Sequence, residues 1–192
     1  MIVDIKQIKG NWDDGYVLHK HTASSTFIGE DEFGHPRFDT VRSEPGEAVF
    51  QLKYRDGWTQ IPPLAKTLAT EILPRFDPID LIIPMPASTP RPRQPVAELA
   101  RALGNLVGAK VSETLLTKAP TTQLKNLTTK DEKAAVLDGQ FTVADGIPGN
   151  TKHTILLLDD LFHTGASMEA ACAALRTYSK IGLIYVAAVT WR

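Results

Sequence analysis

Asp159 and Asp160 stand side by side at the end of the apolar run Ile155-Leu156-Leu157-Leu158, and Leu161-Phe162-His163-Thr164-Gly165-Ala166-Ser167 follows them. Adjacent carboxylates accept hydrogen bonds from a vicinal diol, such as two neighbouring ribose hydroxyls. A helix starting near Ser167 offers unpaired backbone N–H groups and the positive end of its dipole to an anion. Gly165 lets the backbone approach a ligand closely, and the hydroxyls of Thr164 and Ser167 add donors. One short segment is therefore able to grip both a phosphate and a sugar. Two plainer readings compete with this. The acids could cap the following helix, or form a Mg2+-binding pair as in a phosphoacceptor domain, although such a domain is expected to open with this strand and here it comes late. Neither Gly-x-x-x-x-Gly-Lys-Ser/Thr nor Gly-x-Gly-x-x-Gly occurs in the sequence.

The elements that must position these residues alternate in type. Residues 47–52, 64–73, 96–107 and 167–175 carry apolar residues at helical spacing, with Pro62-Pro63 placed to open the second helix. Residues 80–86, 110–116, 140–143, 154–158 and 181–189 read as strands. Strands alternating with helices predict a doubly wound α/β fold with a parallel sheet covered on both faces. The first 43 residues differ. They break into short β-leaning runs at 16–21, 25–28 and 37–41, divided by turn signals, which predicts a small antiparallel meander. The expected organisation is an N-terminal β-rich hood over 1–43 and a core over 44–192.

The segment Ile155 to Ser167 closely resembles the signature with which type I phosphoribosyltransferases bind 5-phosphoribosyl-1-pyrophosphate (PRPP): apolar strand, Asp-Asp, spacer, Thr-Gly-x-Ser/Thr. The resemblance extends, in order, through Leu52-Lys53-Tyr54, Asp80 to Pro86, Arg91 and Arg93, Gln94 to Leu99 and Thr121-Thr122-Gln123, and these are similar to the ComF-type, amidophosphoribosyltransferase-like branch. It implies a five-stranded parallel sheet flanked by helices, with the hood over its carboxyl edge. It implies that Asp159 and Asp160 hold the ribose hydroxyls and that His163, Thr164, Gly165, Ala166 and Ser167 cradle the 5-phosphate, His163 through its backbone N–H alone. Ser88, Arg91 and Arg93 become candidate pyrophosphate ligands, their guanidinium groups suited to bidentate contacts. The plainer reading of that loop is a solvated basic segment held extended by Pro90, Pro92 and Pro95. Family members commonly continue Arg-Gly-Phe-Asn-Gln where this chain has Arg93-Gln94-Pro95-Val96, so the glycine is missing. Lys53 either reaches the pyrophosphate or snorkels from an amphipathic helix. Lys118 to Asn126 matches the mobile catalytic loop, with Lys118, Thr122, Gln123 and Lys125 as candidate contacts on closure.

By the same resemblance Mg2+ bridges the pyrophosphate and ribose hydroxyls, and an acceptor that the sequence does not identify displaces pyrophosphate. A non-catalytic PRPP- or nucleotide-binding regulator and a competence-related accessory factor for DNA uptake are the alternatives. With 192 residues, 43% hydrophobic and 22% charged, the composition is that of an ordinary globular chain. A formal net charge of -1 gives nucleic acid no general electrostatic support. The single Cys172 excludes an intramolecular disulfide and fits a reducing cytoplasm; set among alanines on a helix, it reads as a buried inert thiol. No stretch approaches a membrane span and no signal peptide is visible, so a cytoplasmic protein is expected, with a homodimer as the default for this fold. His19 and His21 share a face of one strand, yet no third ligand stands nearby, and a surface or substrate-facing role is favoured over a metal.

Overall fold

The computed structural model describes residues 1–89, 91–119 and 139–192. Its centre is a six-stranded sheet in the order β1-β2-β10-β9-β5-β6, where β1 is Lys6–Gln7, β2 Asp14–Lys20, β5 Leu81–Pro84, β6 Lys110–Val111, β9 His153–Phe162 and β10 Ile181–Trp191. Five of these strands run parallel, and only β1 joins antiparallel, at the edge beside β2. Helices α1 (Glu44–Tyr54), α2 (Ile61–Glu71) and α3 (Pro95–Val107) cover one face, and α4 (Ala166–Arg176) lies on the other.

The two-residue period of a strand explains how both faces fill. In β10, Ile184, Val186 and Ala188 enter the core beneath α4, while Tyr185, Ala187 and Val189 enter the core beneath α1 to α3. In β9 the same alternation separates Ile155 and Leu157 from Leu156 and Leu158. All four leucines and isoleucines are fully buried, each worth about 1.5–3 kcal/mol of transfer free energy. Helix starts follow their local chemistry. Ser43 caps α1 by accepting from the N–H of Gly46, and prolines occupy the first turns of α1, α2 and α3, where the missing N–H costs nothing. Gly108 ends α3 in the left-handed conformation at φ 77°.

The N-terminal segment is divided between two structures. Residues expected in a hood include β1 and β2, which lie in the central sheet. Val17 and Leu18 are both 0% exposed because they enter opposite cores, the behaviour of an inner parallel strand. Only β3 (Thr22–Glu30) and β4 (Pro36–Arg42) form a separate antiparallel ribbon. It leaves the carboxyl end of β2 and returns into α1, with Phe27, Phe33 and Phe38 exposed along it. The single strand expected over 110–116 is also split: β6 stops at Val111, and β7 (Leu116–Lys118) pairs instead with β8 (Phe141–Val143). Among the described residues no helix is long and apolar enough to cross a membrane.

Candidate functional site

Strand β9 does not stop at the acids. It pairs with β10 through Asp159, Leu161 and Phe162, so only His163, Thr164 and Gly165 connect it to α4. Continuing the alternation, Asp159 follows Leu157 toward the α4 face and Asp160 follows Leu158 toward the α1–α3 face. Lys53 contacts Asp160 directly, and Lys53 and Lys118 both lend favourable charge to Asp159. Lys53, in the last turn of α1, places Nζ 2.9 Å from Oδ1 and 2.7 Å from Oδ2 of Asp160. Lys118, at the end of β7, supplies a favourable charge to Asp159 and donates to the Ser88 hydroxyl at 3.2 Å.

A cleft of about 270 Å3 opens over these groups, lined among others by Lys53, Ser88, Arg91, Lys118, Asp159, Asp160 and Ser167. A second hollow of about 220 Å3 is formed by Asp159 and the run Leu161 to Met168. The two share Asp159, Leu161 and Ser167. The cap residue of α4 is Gly165, which has no side chain to offer; among the described residues only the Thr164 hydroxyl touches the first turn, accepting from the Ala166 N–H at a long 3.5 Å, and Thr164 to Ser167 line the second hollow. Gly165 takes φ 80°, and a Cβ there would stand 3.1 Å from the Phe162 ring. The positive φ calls for glycine, and the close ring adds to that preference. Trp12 meets Phe162 edge-on at 6.2 Å between ring centroids, so residues of the amino-terminal segment underpin this turn. That support was not readable from the motif; its one local sign is glycine at 10 and 15, where any Cβ would strike the Trp12 ring.

The electrostatics are unequal across the pair. Burial, and then the neighbouring Asp160 charge, push the Asp159 carboxyl up to about 7. Its Oδ1 accepts the Asp160 N–H at 2.8 Å, and among the described residues it makes no ion pair. Burial lowers the pKa of Lys118, with Asp159 opposing. The Asp160 main chain is held from behind: Thr190 Oγ1 donates to its carbonyl at 3.0 Å, and His21 Nδ1 lies 3.0 Å from that same hydroxyl. Because the hydroxyl proton goes to Asp160, the imidazole must donate from Nδ1. Burial, followed by Arg192, Arg42 and Lys53, lowers the His21 pKa. His21 therefore serves a hydrogen-bonded relay, while His19 sits opposite Thr190 in the sheet register with its Nδ1 buried and without a hydrogen-bond partner among the described residues.

Of the residues singled out in sequence, Lys53, Ser88, Arg91, Lys118, Asp159, Asp160 and His163 to Ser167 line the two hollows. Arg93 does not. Its guanidinium makes a two-point contact with Glu98 at 2.9 and 3.2 Å and lies 4.1 Å above the Trp58 ring. The reason is local: α3 begins at Pro95, and its first-turn acid Glu98 captures the arginine just before it. Arg91 donates to the Lys53 carbonyl at 2.7 Å while keeping its place on the cleft wall. Gln94, Met85 and Leu161 also line the cleft and were not anticipated; Gln94 ties back to the Thr89 carbonyl at 3.2 Å. Thr122, Gln123 and Lys125 lie outside the described residues. Cys172 is fully buried, and its thiol is pushed up to about 12 by that burial.

No family model matches the chain, and no curated protein matches its sequence. Among solved structures it is similar to a hypoxanthine phosphoribosyltransferase from Staphylococcus aureus, with a TM-score of 0.46 and 10% identity over 70% of this chain and 65% of that one. It is also similar to adenine phosphoribosyltransferase from Saccharomyces cerevisiae, solved with an imino-altritol bisphosphate and adenine, with a TM-score of 0.46 and 14% identity over 88% and 83% of the two chains. Leishmania donovani UMP synthase gives a TM-score of 0.41 and 14% identity over 88% of this chain and 29% of that one. This chain thus spans less than two thirds of the Staphylococcus aureus enzyme's length.

Proposed function

We propose that this chain binds PRPP and transfers its ribose 5-phosphate group to an acceptor with release of pyrophosphate. The observation that carries the reading is the order of features along the exit of β9. A helix start with glycine at its cap, a pair of carboxylates and a cation-lined cleft follow one another, and the two hollows over them share Asp159, Leu161 and Ser167. PRPP presents its groups in the same order: a phosphate, a vicinal diol and a diphosphate. The amides and hydroxyls from Thr164 to Ser167 receive the 5-phosphate. Asp159 and Asp160 accept from the ribose hydroxyls. Lys53, Ser88, Arg91 and Lys118 surround the diphosphate.

In the reaction the acceptor's electron pair forms the new bond at the anomeric carbon while the carbon–oxygen bond to pyrophosphate breaks. The departing oxygen keeps that bonding pair, so negative charge grows where the lysines and Arg91 stand. Their contribution is positioning and charge neutralisation rather than covalent chemistry. Mg2+ would find one available carboxylate of this chain here rather than a built cage. Among the described residues no three carboxylate, imidazole or thiol groups converge, and Asp159 is the member of the acidic pair without an ion-pair partner. Asp159, in its ionised form, would hold the ion, which would supply further neutralisation of the leaving group. Membership of the ComF-type branch is the finer form of this reading, supported by the motif order from Lys53 to Asp160.

The test is calorimetric titration of PRPP with Mg2+ into the wild type and into the double variant Asp159→Asn/Asp160→Asn. Saturable binding that disappears in the variant is expected, followed by pyrophosphate release when the right nucleobase, ammonia or orotate is added. Binding without turnover in any acceptor assay would leave a PRPP-responsive regulator. A well-folded wild type that does not bind PRPP would overturn the reading.

A further inference from the structure

Asp160 lines the cation-lined cleft and is one of the two acids assigned to the ribose hydroxyls, yet both its oxygens are already engaged by one ammonium, at 2.9 and 2.7 Å. The pair is well removed from solvent, with 26% of the Lys53 side chain and 13% of the Asp160 side chain exposed. Asp160 itself is poorly placed to move away. Its N–H is held by Asp159 Oδ1 at 2.8 Å, and its carbonyl by Thr190 at 3.0 Å. The lysine is the partner that moves, because its charge sits on a flexible four-carbon stem. It also stands on the wall of the cation-lined cleft beside Arg91, whose Nη1 holds the Lys53 carbonyl at 2.7 Å.

Resting on the PRPP reading above, we infer that Lys53 is a specificity-determining lock on Asp160, released only by a ligand that brings a second anionic group into the cleft. A diphosphate offers the ammonium a new partner as Asp160 is surrendered to the ribose, so one ion pair is exchanged for another. Ribose 5-phosphate offers none. Its neutral hydroxyls must compete with a half-buried ammonium for the same carboxylate oxygens, and they compete poorly. The cleft thus tells PRPP from ribose 5-phosphate by more than the contacts the diphosphate adds, because the shorter ligand also meets a masked Asp160.

The inference is tested by titrating wild type, Lys53→Met and Lys53→Arg separately with PRPP and with ribose 5-phosphate, each with Mg2+. In Lys53→Met, PRPP affinity is expected to fall while ribose 5-phosphate binds about tenfold more tightly than it does to wild type, the size of effect expected for freeing a carboxylate from one partly buried ion pair. Lys53→Arg retains the charge and is expected to keep the wild-type preference. If Lys53→Met loses PRPP affinity with ribose 5-phosphate binding unchanged, Lys53 is only a diphosphate contact and the lock is overturned. If wild type binds no PRPP, the functional reading itself fails, and the lock with it. Should the methionine variant not fold, Lys53→Gln, which is neutral and retains a donor for Asp160, must bind ribose 5-phosphate more tightly than wild type, by less than about tenfold, and an unchanged affinity overturns the lock.

Discussion

Replacing Asp159 with asparagine removes a carboxylate that the fold holds at about 7 instead of 3.8, while leaving an oxygen in place for the Asp160 N–H. The folded carboxyl is a weaker acid than the unfolded one. Below about pH 4 both states carry the proton and the site costs nothing. Between about pH 4 and 7 the folded chain keeps a proton that the unfolded chain has released, so stability declines as pH rises; above about 7 the penalty is complete. At about 1.36 kcal/mol per pH unit the ceiling is about 4 kcal/mol. Asp159 lines two open hollows, so water reaches it, and about 2 kcal/mol is the expected size. Urea denaturation of wild type and Asp159→Asn at pH 5 and pH 8.5 isolates this group, because the remaining titrations are common to both proteins. The variant is expected to gain about 1 kcal/mol on wild type between the two pH values, the part of the penalty that falls above pH 5, while losing PRPP affinity. Parallel profiles, or a variant that loses ground at high pH, would refute the reasoning that burial and Asp160 hold this carboxyl protonated.

Gly165→Ala forces a side chain onto φ 80° and to within 3.1 Å of the Phe162 ring. It should cost about 1–3 kcal/mol in thermal or urea unfolding and weaken inorganic phosphate binding at the same turn. Thr190→Val leaves the Asp160 carbonyl and the His21 Nδ1–H without their shared hydroxyl. A loss of about 1–3 kcal/mol is expected, restored by Thr190→Ser, and an unaltered unfolding midpoint in the valine variant would remove the relay. Arg91→Ala should weaken PRPP binding by about tenfold, whereas Arg93→Ala, which breaks only the Glu98 pair and the Trp58 contact, should change it by less than about twofold. Equal effects in the calorimeter would contradict the assignment of these two arginines.

The parts of the site built from neighbouring residues were open to reading in the sequence. Ile155 to Ser167 announces a strand, two acids and a helix start because each residue type there restricts the local backbone. The apolar run reads as a strand ending at Leu158, so the division of the two acids between opposite layers, which follows from β9 running on to Phe162, is not legible there. What stayed hidden depends on partners far along the chain. Nothing local says that Tyr16 to Lys20 will pair with β10 rather than fold into a hood; only the adjacency of Val17 and Leu18, apolar toward both faces, hints at an inner strand. Arg91 and Arg93 look equivalent in sequence, and they part because α3 starts at Pro95 and presents Glu98 to the second of them. The support that Trp12 gives to Phe162 joins residues that no short motif could span.

The position of β10 between β2 and β9 also favours an order of assembly. Asp160 and Thr190, joined across β9 and β10, are 30 residues apart, whereas Asp13 and Ile184, joined beside β2 and β10, are 171 residues apart. Closing the longer loop costs about 1.5 kcal/mol more in chain entropy, and its pairing brings no return until β10 exists as a strand. The unit β9-α4-β10 is therefore the natural nucleus, and the amino-terminal strand is the latecomer that docks on its finished edge. Because Trp12 arrives with that strand, the floor beneath the Gly165 turn is laid last, and a newly made chain carries its acids in place before it has a rigid cradle beside them.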